Sequence, residues 1–433
     1  MQYDIQIYSP KGSNAFNYVL DFVFNTFYGC KHQWIDRLEN RNSSPMLINY
    51  SNSPVEDSIH IVPNNYLFNS NLLEVPAIEH FDWGNVPVFF KTDGIIPFDI
   101  FAAVFYLLSR AEEYTNLERD LHGRFSVGYS NFDTDFIQRP VIDEWLYKFR
   151  KEFLHAGSIS FTERKFKWIN TYDIDVAYAY RFRPPLRMIA AAVRNVLRGD
   201  FMSFFARFKV LMGGTPDPYD TYAFQKEIAE RYSDESIYFF LLADKSRYDR
   251  NLAHSNQGVI DLIHRVKEFA NVGIHPSYAS GESSKLLSKE KKRLSDITRS
   301  PVIRSRQHFL RFNLPETFRN LIDEGIEEEY SMGYADIPGF RSGTCTPHYF
   351  FDLGRNQITR LKIFPLIVMD ASLRDYLKLD GEGALKVLKL LIDRVRAVDG
   401  VFVSLWHNDS LNDSPENEWK EVYRKSAEYI KAE

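Results

Sequence analysis

From Phe166 to the C-terminus, short apolar runs alternate with amphipathic helical stretches, and this alternation limits the folds open to the chain more than any other feature. Strands are expected at residues 166–172, 236–243, 271–274, 305–312, 329–334, 363–369 and 401–406, and helices at 219–232, 258–269, 284–298, 382–398 and 416–431. Such alternation predicts parallel strands joined by right-handed crossovers. The class is therefore α/β, and the expected form is a distorted (β/α) barrel of about seven parallel strands. A doubly wound open sheet satisfies the same periodicity.

A length of 433 residues exceeds one ordinary domain. The polar stretch 155–165 divides a smaller α+β domain, expected at 1–160, from the barrel at 161–433. In the first half, Asp99 can cap a helix whose residues 100–108 are apolar all round, as suits a buried helix. A basic helical insertion is expected at about 181–212: residues 181–209 carry six arginines and one lysine against the single acid Asp200. A basic amphipathic helix of this kind can lie on an anionic membrane surface, or pack as a helical hairpin on the protein.

Composition excludes several classes. Hydrophobic residues at 44% and charged residues at 26% argue against disorder, and a net charge of -5 gives no general attraction to nucleic acid. Two cysteines, Cys30 and Cys345, cannot build a disulfide scaffold or a thiolate zinc site. No apolar run approaches the roughly 18 residues of a membrane span. Residues 1–10 alternate like a strand, with Asp4 where a secretory leader would be basic, so a cytoplasmic location is expected. Contact of the 181–209 segment with the inner face of the membrane would make it peripheral.

Reactive side chains cluster at the expected strand ends. These are Asp173 and Asp175, Asp244, His275, His308, Arg341 between Gly339 and Gly343, Asp370, and His407. In a parallel barrel these ends converge on one face, where active sites are built. Each has a plainer reading, such as a helix cap for an Asp or a buried, hydrogen-bonded imidazole for a His. Two carboxylates one residue apart cannot both cap one helix, so at least one is free for other work. An Asp with two His fits a divalent metal that keeps positions open, with zinc the expected ion. A second carboxylate as base and a separate histidine as acid complete a kit for hydrolysing an amide or ester.

These residues, in this order, resemble the motifs of the polysaccharide deacetylase family, with the chain as a divergent bacterial member carrying an extra N-terminal domain. The resemblance covers roughly residue 165 onward. By it, Asp173 in Thr171-Tyr172-Asp173-Ile174-Asp175 is the general base and Asp175 a metal ligand. The family's second motif has two histidines four apart; here His275 is present but Ala279 stands at the later position, and His308 is expected to supply the missing imidazole. Arg341 matches the arginine that pairs with the catalytic Asp, Asp370 the carboxylate that tunes the acid histidine, and His407 that acid. The resemblance implies removal of acetyl groups from an N- or O-acetylated carbohydrate, lipid-linked if the basic segment meets a membrane. A catalytically degenerate glycan-binding barrel, or a hydrolase of another non-peptide C–N bond, are the rival readings.

Overall fold

A computed structural model describes residues 3–42, 46–154, 159, 161–184, 188–189, 193–194, 197 and 201–432. The first half is built on strands β1 (Ile5–Tyr8), β2 (His32–Ile35), β3 (Met46–Tyr50) and β4 (Ile59–Ile61), in the order β2-β1-β3-β4 with every pairing parallel. The expected α+β domain is thus organised around a parallel sheet. Strands of three to five residues are too short for alternation to be read, and this hid the pattern. Strands β5 (Phe81–Trp83) and β6 (Val86–Val88) form a separate antiparallel hairpin. Helix Ile100–Ser109 is buried at every residue, and Asp99 caps it by accepting from the Ala102 N–H at 3.0 Å.

The second half is one nine-stranded sheet. Its strands are β7 (Lys167–Ile174), β8 (Glu235–Leu241), β9 (Asn271–His275), β10 (Arg304–Ser305), β11 (Glu328–Glu329), β12 (His348–Asp352), β13 (Gln357–Ile363), β14 (Val368–Met369) and β15 (Val401–His407). Their order is β12-β13-β11-β10-β9-β8-β7-β15-β14, parallel throughout except for the β12–β13 hairpin. Among the described residues no strand pairing joins β12 to β14, so the expected closed barrel is replaced in the ladder by an open sheet. The chain between β13 and β14 nevertheless crosses the gap. Phe364 N–H donates to the Glu329 carbonyl, Leu366 N–H to Met332 and Ile367 N–H to Val403.

Side-chain parity sorts this sheet into two faces. From β7 and β8, Trp168, Tyr172, Ile174, Tyr238 and Phe240 pack with the flanking helices through Leu262, Leu391 and Tyr423. The alternate residues Ile169, Ile237 and Phe239 join Tyr330, Leu366, Met369, Val403 and Leu405 in a separate inner cluster. Burial on both faces is what helix-covered parallel strands require. The inner parity continues up β7 to Thr171 and Asp173, and the register sets Asp173 level with Phe239, Gly273 and His407. Polar groups therefore cap an apolar inner core at one end of the strands.

Residues 185–187, 190–192, 195–196 and 198–200 fall outside the described residues, and with them much of the basic segment; within it Phe201–Leu211 is helical. No helix among the described residues is long and apolar enough to cross a membrane.

The two halves are joined by buried charge. The first half's apolar cluster takes in Tyr334, Ile337, Phe351 and Leu353 from beyond the sheet's midpoint. Beside it Glu113 receives Arg341 at 2.6 and 2.9 Å and Arg110 at 2.8 Å, with all three side chains about 2% exposed. Burial alone would raise the Glu113 carboxyl, but the two guanidiniums outweigh it and hold the pKa at about 2. A depressed carboxylate stabilises the fold above its ordinary pKa and loses that contribution as pH falls through the folded value. Glu113→Gln is therefore expected to lower stability at pH 7 by about 3–5 kcal/mol, because it leaves Arg341 buried without its counter-charge while Arg110 keeps Glu112. In urea unfolding, the gap to the unaltered protein should narrow from pH 4.5 downward.

Candidate metal centre

Asp175, His275 and His308 each present one ligand atom, and these atoms lie within 4.8 Å of one another. Asp175 follows β7 by one residue and keeps the inner parity of Asp173; His275 ends β9 one inward step above Gly273. His308 does not lie in a strand as expected. β10 stops at Ser305, and His308 opens a tight turn in which Phe309 (φ 63) and Leu310 (φ 52) are left-handed. Consecutive left-handed residues without glycine are costly, and such strain collects at functional sites. The turn brings the two imidazole centroids to 5.0 Å.

Each imidazole is tied from behind. His275 Nδ1 lies 2.6 Å from the Arg306 carbonyl, so it donates its N–H there and leaves the lone pair on Nε2. His308 Nδ1 donates likewise to Asp249 Oδ1 at 3.0 Å. The freed Nε2 atoms point at Asp175, at 3.2 Å from His275 and 3.5 Å from His308. His275 Nε2 and Asp175 Oδ1 are buried without a hydrogen-bond partner. Two imidazole nitrogens and a carboxylate that converge on one point, with outer partners orienting both rings, fit a divalent cation. The electrostatics agree. Burial works against charge on His308, but Asp175 and Asp249 on either side outweigh it and push its pKa up to about 9, so a cation bound here takes the place of a proton on Nε2. Such a negative field favours a cation.

Two groups flank the trio. Asp173, 2% exposed, has Oδ2 3.6 Å from His275 Nε2 and Oδ1 3.4 Å from Arg306. On the other side His407 Nδ1 donates to Asp370 Oδ1 at 2.7 Å, and Asp370 Oδ2 accepts the His407 backbone N–H at 2.9 Å. His407 Nε2 faces the cavity, 3.9 Å from Asp175. Burial opposes its protonation, but the Asp370 carboxylate more than compensates and holds the imidazole well above its ordinary pKa. A cavity of about 310 Å³ touches Asp173, Asp175, His275, His308 and His407 together.

The structure thus gathers six of the seven residues expected from sequence: Asp173, Asp175, His275, His308, Asp370 and His407. Arg341 is the exception. Its guanidinium is spent on Glu113 and the Gly333 carbonyl, and the cation beside Asp173 is Arg306. The flanking glycines do mark close approach, but to the first half: a Cβ on Gly339 would lie 2.7 Å from the Ile137 carbonyl, and one on Gly343 2.6 Å from Leu107. Asp244, also noted at a strand end, is exposed and pairs with Lys289 and Arg293. Sequence reasoning missed Arg306, Asp249 and Arg124. Arg306 had a signal, lying two residues before His308 at a strand end. Asp249 had none to separate it from Asp244. Arg124, from the first half, lines the cavity and reaches the Phe309 carbonyl at 3.1 Å and the Tyr376 hydroxyl at 2.8 Å.

Residues 5–157 match the model of a family of unknown function (DUF7033). No curated protein matches the chain. Among solved structures, a putative polysaccharide deacetylase from Mycobacterium smegmatis aligns over 63% of this chain and 84% of its own at 11% identity, with a TM-score of 0.40. A 4-alpha-glucanotransferase from Thermococcus litoralis aligns over 63% of this chain and 38% of its own at 14% identity and a TM-score of 0.36. A CE4 family pseudoenzyme from Bacillus anthracis aligns over 50% of this chain and 58% of its own at 11% identity and a TM-score of 0.29.

The trio generates a direct expectation. His308→Ala should abolish stoichiometric zinc binding, measured by elemental analysis after dialysis. Asp249→Asn keeps an acceptor for His308 but removes its charge, and should weaken zinc about tenfold in a competition titration with a chromogenic chelator. Full zinc retention by both variants would remove His308 from the ligand set.

Proposed function

We propose that the chain is a metal-dependent hydrolase that removes acetyl groups from an N- or O-acetylated carbohydrate. One observation carries the reading: three convergent ligand atoms, two of them buried without a hydrogen-bond partner, have a carboxylate on one flank and a carboxylate-backed imidazole on the other. That is the residue set for attack by water on an acyl carbon with protonation of the leaving group. The same reading takes the second half as a distorted barrel of about seven strands. The hydrogen bonds of residues 364–367 to both sides of the gap in the sheet support it.

Asp175, His275 and His308 would hold the ion, with zinc favoured by the nitrogen and carboxylate donors. When bound, such an ion acidifies water and polarises an acyl oxygen. Asp173 accepts the proton of the attacking water, with Arg306 as its positive partner 3.4 Å away. His407 releases a proton from Nε2 to the departing nitrogen or oxygen, while Asp370 keeps Nδ1–H bonded and the ring oriented. The products are acetate and a deacetylated sugar. Asn408 and Arg374 brace this end of the sheet: Asn408 donates to the Val176 and Tyr219 carbonyls, and Arg374 to Ser410.

The test is acetate release from a panel of N- and O-acetylated sugars, before and after chelation and zinc restoration. Activity should vanish on chelation and return with the ion. Asp173→Asn is expected to reduce kcat by roughly 10²–10⁴ while zinc stays bound. His407→Ala should reduce turnover of an acetamide by a similar factor yet affect an aryl acetate far less, because an aryloxide departs without a proton. Protein carrying one equivalent of zinc that releases no acetate from any member of the panel would falsify the reading.

A further inference from the structure

A second cavity, of about 300 Å³, adjoins the reaction chamber and shares Asp175, His308 and Phe309 with it. The shared lining makes the two cavities contiguous, and the second has room for a sugar residue next to one at the centre. Its outer wall is the loop after β8, and that loop is built in two directions. Asp249 turns inward, buried, and orients His308; Arg247 and Arg250 line the cavity. The loop is braced by Ser246 N–H donating to the Asp249 carbonyl at 3.0 Å and by the buried Asn251 amide donating to Ala243 at 2.9 Å. The backbone that carries the two arginines is therefore fixed relative to the trio.

Neither arginine pairs with a carboxylate among the described residues. Arg247 lies 5.3 Å from the Tyr248 ring, and Arg250 donates to the Arg247 carbonyl at 3.4 Å. Other arginines nearby are spent: Arg293 on Asp244, Arg311 on Glu282, Arg374 on Asp375. The acids lining this cavity are Asp175, which is engaged by the imidazoles, and Asp409. Beside Arg247, Tyr248 stacks on Tyr278 with centroids 4.1 Å apart, and His122 from the first half packs edge-on at 5.8 Å. An aromatic face suits a sugar ring, and paired guanidiniums suit a carboxylate or phosphate in bidentate fashion.

We infer that this cavity is a subsite for an anionic group, a carboxylate or a phosphate ester, carried on or next to the sugar that is deacetylated, with Arg247 and Arg250 as its ligands and Tyr248 beneath the ring. The substrate class is thereby narrowed to an acidic glycan or glycosyl phosphate. The inference rests on the hydrolase reading for its orientation, but the anion site itself is testable alone.

Calorimetric titration of the zinc-loaded protein with N-acetylglucosamine, N-acetylmuramic acid, N-acetylglucosamine 1-phosphate and inorganic phosphate provides the test, in the unaltered protein and in the Arg247→Ala/Arg250→Ala double variant. At least one charged sugar should bind tenfold or more tighter than the neutral one, with the advantage lost in the double variant and partly restored in Arg247→Lys/Arg250→Lys. Neutral sugar binding and the melting temperature should not change. A carboxylate or a phosphate source is told apart by which charged sugar gains. Equal affinity for charged and neutral sugars, or a preference that survives the double variant, overturns the subsite. Phosphate binding that depends on the two arginines, alongside failure of every sugar to bind or release acetate, would sustain the anion site and sink the hydrolase reading. Acetate release indifferent to both arginines and to charge would do the reverse.

Discussion

Two imidazoles held from behind set the character of this molecule. His275 donates its Nδ1–H to a backbone carbonyl and His308 donates its own to Asp249, so each ring is fixed with Nε2 aimed at Asp175. Neither constraint is strong alone, each being a single hydrogen bond. Together with Asp175 they turn a polar strand end into a preorganised, electron-rich pocket. The arrangement at His407 follows the same logic with a different outcome. Its backing carboxylate, Asp370, is fully enclosed and bonded to both the ring and the backbone of His407, which favours a protonated ring that can give its proton away.

The positions of Asp173, Asp175, His275 and His407 were legible in the sequence because they obey the simplest rule of strands, a side-chain period of two. Parallel strands in register then bring equal parities level. Helices were legible for the same reason at their own period; the helix over Ser284–Thr298 is found with the bounds that periodicity gives. What failed was length. β10, β11 and β14 are two residues each, so the apolar runs around them read as longer strands than they are, and the irregular chain beyond β10 that carries His308 was taken for strand. The β12–β13 hairpin was missed because its outward residues, such as Tyr349 and Ile358, are exposed apolar groups that blur the alternation.

Arg341 shows a different limit. An arginine between two glycines after a strand is the same local pattern whether it serves a reaction or a contact between halves of the chain. Only the partner decides, and the partner, Glu113, is 228 residues away. Arg306, which does stand beside Asp173, looks locally like an unremarkable strand-end cation. Charge partnerships across hundreds of residues leave no periodic trace, whereas parity does. The apolar helix Ile100–Ser109 was readable as buried, but what buries it was not.

Glu113 also bears on how the protein can be divided. Cut between the halves, the strand-rich part would lose the counter-charge of Arg341 and would expose Tyr334, Ile337, Phe351 and Leu353 where they now meet the first half. It would also lose Arg124 from the lining of the cavity beside the Asp175, His275 and His308 cluster. The segment that looks like an accessory in linear order is thus part of the scaffold, and any attempt to isolate a minimal fragment that keeps that cluster has to retain it.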